Sequence, residues 1–294
     1  MNPPGIARYI PPGGTAFVLA GGGSHGAVQV GMLRALVAGG VKPDFVVGTS
    51  VGAVNGTFFA ADPTFEGINR LARIWSGISR SDIYPVLPLG WLHALLGRQS
   101  HVLDPRGLAR VLERSLSVRR LEDTVIPCAV IAADLRDGSE VVIREGPAVE
   151  AVLASASIPV LFPPVRIGDR NLMDGGIAKN TGISTAVLLG AARVIVLPTG
   201  FTCAARAAPR GAVAMALHVV NGLLARQLAS DAERHAGELP VIVVPPLCPM
   251  AVSSYDFSEA TSLMDRAAGA TAHWLDAGGL DGRSIPVTLI PHTH

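Results

Sequence analysis

Two short apolar runs, each followed by a glycine-rich turn, restrict the fold of this chain more than any other feature. Residues 16–20 (AFVLA) lead into residues 21–26 (GGGSHG), and residues 45–47 (FVV) lead into residues 48–52 (GTSVG). Between them, residues 27–38 carry apolar side chains at helical spacing. A strand, a helix and a second strand in this order predict parallel strands joined by a right-handed crossover. We therefore expect the tips of both turns at the same edge of one sheet.

The remainder of the chain continues this alternation. Further strands are predicted near residues 126–133, 140–143, 193–197 and 241–244, and further helices near residues 51–60, 105–116, 148–154, 184–189, 213–234 and 258–274. The prolines of residues 158–164 (IPVLFPP) predict an extended segment. The order predicts one doubly wound α/β domain over residues 15–294, after an irregular arm rich in proline and glycine over residues 1–14.

Composition excludes several classes of function. Of 294 residues, 49% are hydrophobic and 16% are charged, which is enough apolar material for a large core. The net charge of +1 and the lack of a dense Lys/Arg run argue against nucleic-acid binding. Cys128, Cys203 and Cys248 are too far apart for a close-spaced metal motif, and their odd number argues against a disulfide framework. With neither a secretory signal nor an apolar run of membrane-spanning length, we expect a cytoplasmic protein.

Residues 48–52 match the pattern Gly-x-Ser-x-Gly between a strand and a helix, which is typical of a nucleophile elbow. The serine of such an elbow holds a strained backbone, so its neighbours must be small, and Gly48 and Gly52 meet this requirement. The helix that begins after Ser50 would point its first N–H groups at a developing oxyanion. This pattern favours Ser50 as a nucleophile.

Besides a plain tight turn from strand to helix, the glycine loop after the first strand allows two functional interpretations. Gly21, Gly23 and Gly26 fit the dinucleotide-binding pattern G-x-G-x-x-G. That pattern calls for an acidic residue at the end of the next strand, but this strand ends at the serine turn and Asp44 precedes it. Alternatively, consecutive glycines let backbone N–H groups converge on one oxygen and form an oxyanion hole facing Ser50. The second interpretation fits the sequence better.

The residue that would accept the Ser50 proton is either a histidine or a carboxylate. A Ser-His-Asp hydrolase needs a late histidine on a loop after a strand. His218, His235 and His273 fall in predicted helices, and His292 and His294 lie in a polar tail. The segment Asp174-Gly175-Gly176 can present a carboxylate at a loop tip, although it also fits a plain turn. A carboxylate of ordinary pKa, about 3.9, is a weak base and would need an apolar setting.

Taken together, these motifs resemble the patatin-like phospholipase family. Four blocks occur in the family's order over about residues 16–200: residues 21–26, residues 48–52, residues 154–159 (ASASIP) with 162–164 (FPP), and residues 174–176 (DGG) with Asn180. Residues 255–260 (YDFSEA) are similar to the C-terminal part of bacterial members. The chain departs from the family at His25, where Arg or Lys is usual, and at Asn180-Thr181-Gly182, where Asn-x-Pro is common.

The resemblance implies an α/β fold of three layers, with a mostly parallel central sheet and helices on both faces. It also implies a Ser50–Asp174 dyad that cleaves a fatty-acyl ester of a lipid through an acyl-enzyme, with no metal and no cofactor. The oxyanion would be held by the glycine loop and the turn after Ser50. The residues implied for the oxyanion hole are Gly21, Gly22, Gly23, Ser24 and Val51, with Gly22 and Gly23 the main candidates, and the other motif glycines are Gly26, Gly48, Gly52, Gly175 and Gly176.

The expected partner is a lipid or ester substrate, with peripheral contact at a membrane. Residues 83–101 are predicted to form a flap facing substrate or lipid, because apolar side chains cluster between Pro88 and Gly97. The predicted contact residues are Trp91, Leu92, Leu95 and Leu96. A short helix packed in the core is the alternative for this segment. For the whole chain, the alternatives are a nucleotide-binding oxidoreductase and a non-catalytic lipid-binding protein of the same fold.

Overall fold

The computed structural model describes residues 9–10, 12–85, 90–178, 181–204, 209–282, 285–289 and 292. Its strands form one eight-stranded sheet in the order β5-β6-β3-β2-β1-β7-β8, with β4 also paired to β3. The strands are β1 Thr15–Leu19, β2 Phe45–Thr49, β3 Cys128–Asp134, β4 Glu140–Ile143, β5 Val165–Ile167, β6 Arg170–Asp174, β7 Arg193–Leu197 and β8 Val241–Val243. The helices are α1 Gly26–Ala38, α2 Val51–Ala61, α3 Phe65–Gly77, α4 Arg80–Ile83, α5 Gly90–Leu95, α6 Arg106–Ser115, α7 Ala148–Ser155, α8 Gly182–Leu188, α9 Ala212–His235 and α10 Ala260–Asp276.

The centre of the sheet is parallel, because β3, β2, β1, β7 and β8 pair in that order with one direction. Strands β2 and β3 are buried along their whole length, as expected for strands covered on both faces. The pairing of β1 with β2 confirms the predicted parallel unit. Both glycine-rich turns therefore leave the sheet at the same edge, which is where the candidate site lies.

Alternate residues of each strand face two separate apolar layers. Phe17 and Leu19 of β1 belong to a core that includes side chains of α1, α2, α3 and α10. Ala16 and Val18 of the same strand pack on the other face, against side chains of α8 and α9. The two-residue period of a strand produces this division. Helices cover both faces of the sheet, so the predicted three-layer α/β fold is confirmed.

The sheet becomes antiparallel at one side, where β3 pairs with β4 and β6. Ala132 of β3 lies opposite Asp174, the last residue of β6. This pairing brings a residue far along the chain to the sheet edge where β2 ends. The antiparallel strand β6 was not among the predicted elements, since residues 170–174 (RNLMD) lack a long apolar run.

Two parts of the sequence-based prediction need correction. Residues 158–164 are not extended: the amides of Leu161 and Phe162 donate to the Ile158 carbonyl, and Val160 has a φ of 70°. The local prolines restrict their predecessors, but tertiary packing of Leu161 and Phe162 in the core favours a turn. Helix α3 was not predicted, although Thr64 caps it by accepting a hydrogen bond from the amide of Gly67 at 3.0 Å.

Other predictions fall partly or wholly outside the described residues. Most of the arm over residues 1–14 lies there, as do Pro88 and Asn180, and the side chain of Leu95 is likewise not described. The extent of the single domain stays a prediction. Within the described part of the chain, no helix combines the length and the apolar character needed to cross a bilayer.

Candidate active site

Ser50 lies at a sharp turn between β2 and α2. Its φ of 56° and ψ of −124° are unusual for a residue with a side chain, and such strain is typical of a nucleophile elbow. A Cβ atom on Gly48 would lie 2.5 Å from the Gly52 carbonyl oxygen, and one on Gly52 would lie 2.1 Å from that of Leu19. Gly48 is therefore required by the close approach of the first turn of α2, and Gly52 by the close approach of β1.

A second serine holds this turn in place. The amide of Ser50 donates to Ser155 Oγ at 2.8 Å, and Ser155 Oγ donates to the Ile131 carbonyl at 2.5 Å. Ser155 ends α7 and is fully buried. It connects the elbow to β3 and also occupies the Ser50 amide, which is thus not directed at an oxyanion. The sequence offered Ser155 as part of the ASASIP block but indicated no role for it.

The Ser50 hydroxyl donates to Asp174 Oδ2 at 2.6 Å. Both residues are buried, with 6% and 5% of their surfaces exposed. The second carboxylate oxygen, Oδ1, accepts from the amide of Gly176 at 2.8 Å, and the amide of Asp174 donates to the Ser157 carbonyl. A Cβ atom on Gly175 would lie 2.3 Å from the Ile131 carbonyl oxygen, so glycine is also required at this position. The structure thus brings together two residues that are distant in sequence.

Burial raises the pKa of Asp174 to about 6, since desolvation disfavours its ionised form more than the hydrogen bonds from Ser50 and Gly176 favour it. A carboxylate with this pKa is a stronger base than an exposed one and is still ionised at neutral pH. The apolar setting that the sequence argument required is therefore present. Among the described residues, the hydrogen-bond partner of Ser50 Oγ is this carboxylate, not a histidine.

The glycine loop after β1 passes directly beside Ser50. A Cβ atom on Gly21 would lie 3.2 Å from Ser50 Cβ, and one on Gly22 would overlap the Thr199 side chain. Gly23 has a φ of 59°, which favours glycine, and a Cβ atom there would lie 2.5 Å from the Ser254 carbonyl oxygen. Within the part of the chain that is described, the amides of Gly22, Gly23 and Val51 have no hydrogen-bond acceptor. These N–H groups can bind an oxyanion.

Ser24 does not fit the oxyanion role that was expected of it. Its amide donates to the Ser254 carbonyl at 2.9 Å and its hydroxyl donates to the Ser253 carbonyl at 3.1 Å. The chain enters a short 3-10 helix at Gly23, which turns the Ser24 amide toward residues 253–254. Its N–H group is thus already satisfied.

His25 likewise ties the loop to the C-terminal part of the chain. The ring is fully buried, and its Nε2 donates to the Val252 carbonyl at 2.9 Å. Burial lowers the pKa of His25, so the ring is neutral near pH 7. The residue that replaces the usual Arg or Lys therefore supplies a tether and not a positive charge.

The position of Asp44 argues against a dinucleotide site. Asp44 precedes β2 and its Oδ2 accepts from the amide of Thr15, the first residue of β1. Asp44 therefore lies at the start of β2, whereas the glycine loop lies beyond the end of β1. The ribose of a dinucleotide bound at the glycine loop would be too far from Asp44 to form a hydrogen bond with it. The turn that follows β2 carries Ser50 instead of an acidic residue.

Two apolar cavities meet at Ser50, and we call them the wide chamber and the narrow chamber. The wide chamber has a volume of about 530 Å³ and contacts Asp174, Gly22, Gly23 and Ser50. Its apolar wall includes Trp91, Leu103, Ile158, Val160, Leu217, Val220, Leu224 and Tyr255. The narrow chamber, about 60 Å³, contacts Gly23, Ser50 and Val51 but not Asp174. Its apolar wall includes Phe58, Leu71, Ile74, Ile78, Val111, Phe162 and Phe257.

Of the four contact residues predicted for the flap, one lines this site, and Ile83 and Tyr84 at the start of residues 83–101 line the narrow chamber. Trp91 of α5 is 60% exposed and lines the wide chamber, whereas Leu92 and Leu96 do not line either cavity. Helix α9 contributes more residues to the apolar wall of the wide chamber than the flap does. A role for α9 in the site was not predicted from the sequence. A signal for it exists in the sequence, because residues 212–225 (AVAMALHVVNGLLA) contain no Asp, Glu, Lys or Arg.

The family model of patatin-like phospholipases matches residues 17–187, more than half of the chain. Patatin-like phospholipase domain-containing protein 7 of Rattus norvegicus is 30% identical over 197 residues, which are 66% of this chain and 14% of the relative. Neuropathy target esterase sws of Drosophila melanogaster is 25% identical over 66% of this chain and 13% of its own length. The chain thus spans about one seventh of the curated relatives that it matches.

Solved structures with similarity to this chain include VipD from Legionella pneumophila, with a TM-score of 0.42 and 14% identity over 90% of this chain and 67% of VipD. Human GIVD cytosolic phospholipase A2, in complex with methyl gamma-linolenyl fluorophosphonate, has a TM-score of 0.46 and 12% identity over 93% of this chain and 59% of its own.

Proposed function

The chain belongs to the patatin-like phospholipase family, and from that premise we propose that it is a serine acyl hydrolase that cleaves fatty-acyl esters of lipids through Ser50 and Asp174. The observation that carries the proposal is the 2.6 Å hydrogen bond between the Ser50 hydroxyl and a buried carboxylate where two apolar chambers meet. An ester with apolar groups on both sides of its carbonyl would fill such a site.

In the proposed reaction, Asp174 accepts the hydroxyl proton as Ser50 Oγ attacks the ester carbonyl carbon. The amides of Gly22, Gly23 and Val51 stabilise the negative charge that develops on the carbonyl oxygen. Asp174 then gives its proton to the oxygen of the departing alcohol, which leaves an acyl group on Ser50. Water attacks this acyl-enzyme while Asp174 accepts a proton from it, and the fatty acid is released with the Ser50 proton restored.

We further propose an orientation for the substrate. Proton transfer requires the alcohol oxygen to lie within hydrogen-bond reach of Asp174. Asp174 contacts the wide chamber and not the narrow one. The alcohol portion of the ester is thus assigned to the wide chamber and the acyl chain to the narrow one. The narrow chamber is much smaller than the wide one, about 60 Å³ against about 530 Å³, so it is the one suited to a short acyl chain.

Peripheral contact with a lipid surface is part of the same proposal. Exposed apolar residues surround the wide chamber, and α9 presents a stripe of them beside the residues that form its wall. The exposed residues around the chamber are Trp91, Val160 and Ile177, and those of the α9 stripe are Met215, Val219 and Leu223. A helix surface without charged groups would have little desolvation cost when it enters a lipid interface. Because this surface lies next to the wide chamber, substrate could pass from the lipid into the chamber.

Turnover of p-nitrophenyl hexanoate and octanoate tests the reaction. We expect Ser50→Ala and Asp174→Asn each to lower kcat by at least a thousandfold, as loss of one member of a catalytic pair does. Asp134→Asn is the matched control, because Asp134 is also buried at the same edge of the sheet. Its carboxylate accepts a hydrogen bond from the amide of Arg136 and not from Ser50. Turnover that survives either of the first two substitutions would contradict the dyad.

A further inference from the structure

A cluster of two thiols and an imidazole lies outside the Ser50 site. The potential ligand atoms of Cys203, Cys248 and His292 all lie within 4.8 Å of one another. Cys203 follows β7 and Cys248 follows β8, and these strands are parallel neighbours, so the two loops leave the sheet at the same edge. His292 approaches from the C-terminal tail. The wide spacing of the cysteines in the sequence argued against a close-spaced metal motif, but the fold brings two of them together with His292.

The spacing of the three atoms is close to that of a tetrahedral metal site. Zinc–sulfur bonds of about 2.3 Å and zinc–nitrogen bonds of about 2.0–2.1 Å place neighbouring ligand atoms about 3.6–3.8 Å apart. Cys248 Sγ and His292 Nε2 are 3.1 Å apart. The other two pairs of ligand atoms are at most 4.8 Å apart, so shifts of up to about 1 Å would seat an ion among the three atoms. Thiolate and imidazole donors favour Zn²⁺ over Mg²⁺ or Ca²⁺.

We propose that Cys203, Cys248 and His292 bind a Zn²⁺ ion, with a water molecule as the fourth ligand. The surroundings orient two of the three ligands. The amide of Met250 donates to Cys203 Sγ at 3.3 Å, as amides do to metal-bound thiolates. The edge of the Phe201 ring packs against the His292 ring at 5.5 Å between centroids and 82° between planes, which fixes the imidazole.

The position of the ion indicates a structural role. The loop that carries Cys203 also carries Thr199, whose hydroxyl donates to the Gly21 carbonyl at 2.7 Å. The loop that carries Cys248 continues to Val252 and Ser254, which accept hydrogen bonds from His25 and Ser24. The ion would join the two loops that hold the glycine loop from behind. It would stabilise the oxyanion hole without contacting substrate.

Metal content of the purified full-length chain tests this proposal. We expect about one zinc ion per chain by elemental analysis, and a sulfur-to-metal charge-transfer band after replacement with Co²⁺. Cys203→Ser, Cys248→Ser and His292→Ala should each weaken metal binding more than tenfold. The matched controls are Cys128→Ala and His273→Ala, which alter a buried cysteine of β3 and an exposed histidine of α10 outside the cluster. Both controls should retain the ion and the Co²⁺ band.

Removal of the ion by a chelator should lower the Tm of the wild type. The same treatment should leave the Tm of His292→Ala unchanged, because this variant lacks a ligand and holds no ion to remove. A chain that takes up neither Zn²⁺ nor Co²⁺ when its thiols are reduced would overturn the proposal. So would a Cys203–Cys248 disulfide found in the protein purified without reductant, or a Co²⁺ band that persists in all three ligand variants.

Discussion

At the scale of the residue, Asp174 combines burial with few stabilising contacts. It accepts hydrogen bonds from Ser50 Oγ and from the amide of Gly176, and neither donor carries a positive charge. Burial therefore raises its pKa to about 6, from an ordinary value near 3.8. Above this pH the folded protein holds an ionised carboxylate that is poorly compensated, at a cost of about 1.4 kcal/mol for each unit of pKa. Such a cost is expected where a residue serves a reaction.

We predict that Asp174→Asn makes the protein more stable at pH 8, by roughly 3 kcal/mol at most, because the amide avoids this desolvation cost. The sign follows from the raised pKa: the penalty is absent below about pH 4, where both folded and unfolded states are protonated, and is complete above about pH 6. Urea unfolding at pH 4 and pH 8 measures it. A variant less stable than the wild type at pH 8 alone would show that the carboxylate stabilises the fold.

At the scale of the element, helices α3 and α6 close the narrow chamber. Ile74, Ile78 and Val111 line it and also line a separate groove of about 310 Å³ on the outer side, among Arg73, Arg110 and Arg114. These three apolar side chains are therefore the wall between the end of the chamber and the surface. In the proposed orientation of the substrate, they would limit the length of the acyl chain that the narrow chamber holds.

We predict that Ile74→Ala combined with Val111→Ala shifts the preference toward longer acyl chains. Opening the wall lets additional methylene groups leave water, each worth about 0.8 kcal/mol, so the ratio of dodecanoate to hexanoate kcat/KM should rise by roughly tenfold or more. Ile68→Ala is the control, since Ile68 is buried in α3 but lines neither chamber. An unchanged ratio in the double variant would place the acyl chain elsewhere.

Helix α9 has an apolar stripe on its outer side as well as on its inner side. Val219 and Leu223 are 53% and 59% exposed, one turn apart, while Leu217, Val220 and Leu224 line the wide chamber. We predict that Val219→Ser with Leu223→Ser lowers binding to phosphatidylcholine vesicles by about tenfold or more, and leaves turnover of a water-soluble ester unchanged.

Vesicle co-sedimentation measures this effect. Leu188→Ser is the control, because Leu188 is 78% exposed at the C-terminal end of α8 and lines neither chamber. Equal binding by the wild type and the α9 variant would refute the lipid contact. A loss of vesicle binding in the Leu188 variant as well would mean that any exposed apolar residue suffices.

At the scale of the whole molecule, the site assembles at one edge of the sheet. The turns after β1 and β2 bring the glycine loop and Ser50 together, and β6 ends there with Asp174. Residues 252–254, just before the YDFSEA stretch, hold the glycine loop through Ser24 and His25. Four distant segments thus contribute to one site, and the parallel centre of the sheet positions two of them.

The sequence indicates those parts of the site that depend on local pattern. The apolar runs before Gly21 and Gly48 predict β1 and β2, and the small residues around Ser50 predict the elbow that the structure contains. The proximity of Asp174 to Ser50 came from the family resemblance, because a strand such as β6, with a single apolar pair, has no distinctive period. The role of Ser155 could not be predicted, since its contacts depend on packing between segments far apart in the chain. The uncharged residues 212–225 indicate an apolar helix at α9, but which cavity that helix lines likewise depends on such packing.

The proposed reaction depends on Ser50 as the nucleophile and Asp174 as its base, and the rate of fluorophosphonate labelling measured against pH tests both roles. We predict a single covalent adduct located on Ser50 by peptide mass spectrometry. Its rate of formation should rise with pH, with a midpoint near 6 where Asp174 ionises, and reach a plateau above about pH 7. An adduct that persists in Ser50→Ala would contradict the role of Ser50 as the nucleophile, and a midpoint that is the same in Asp174→Asn would contradict the role of Asp174 as its base.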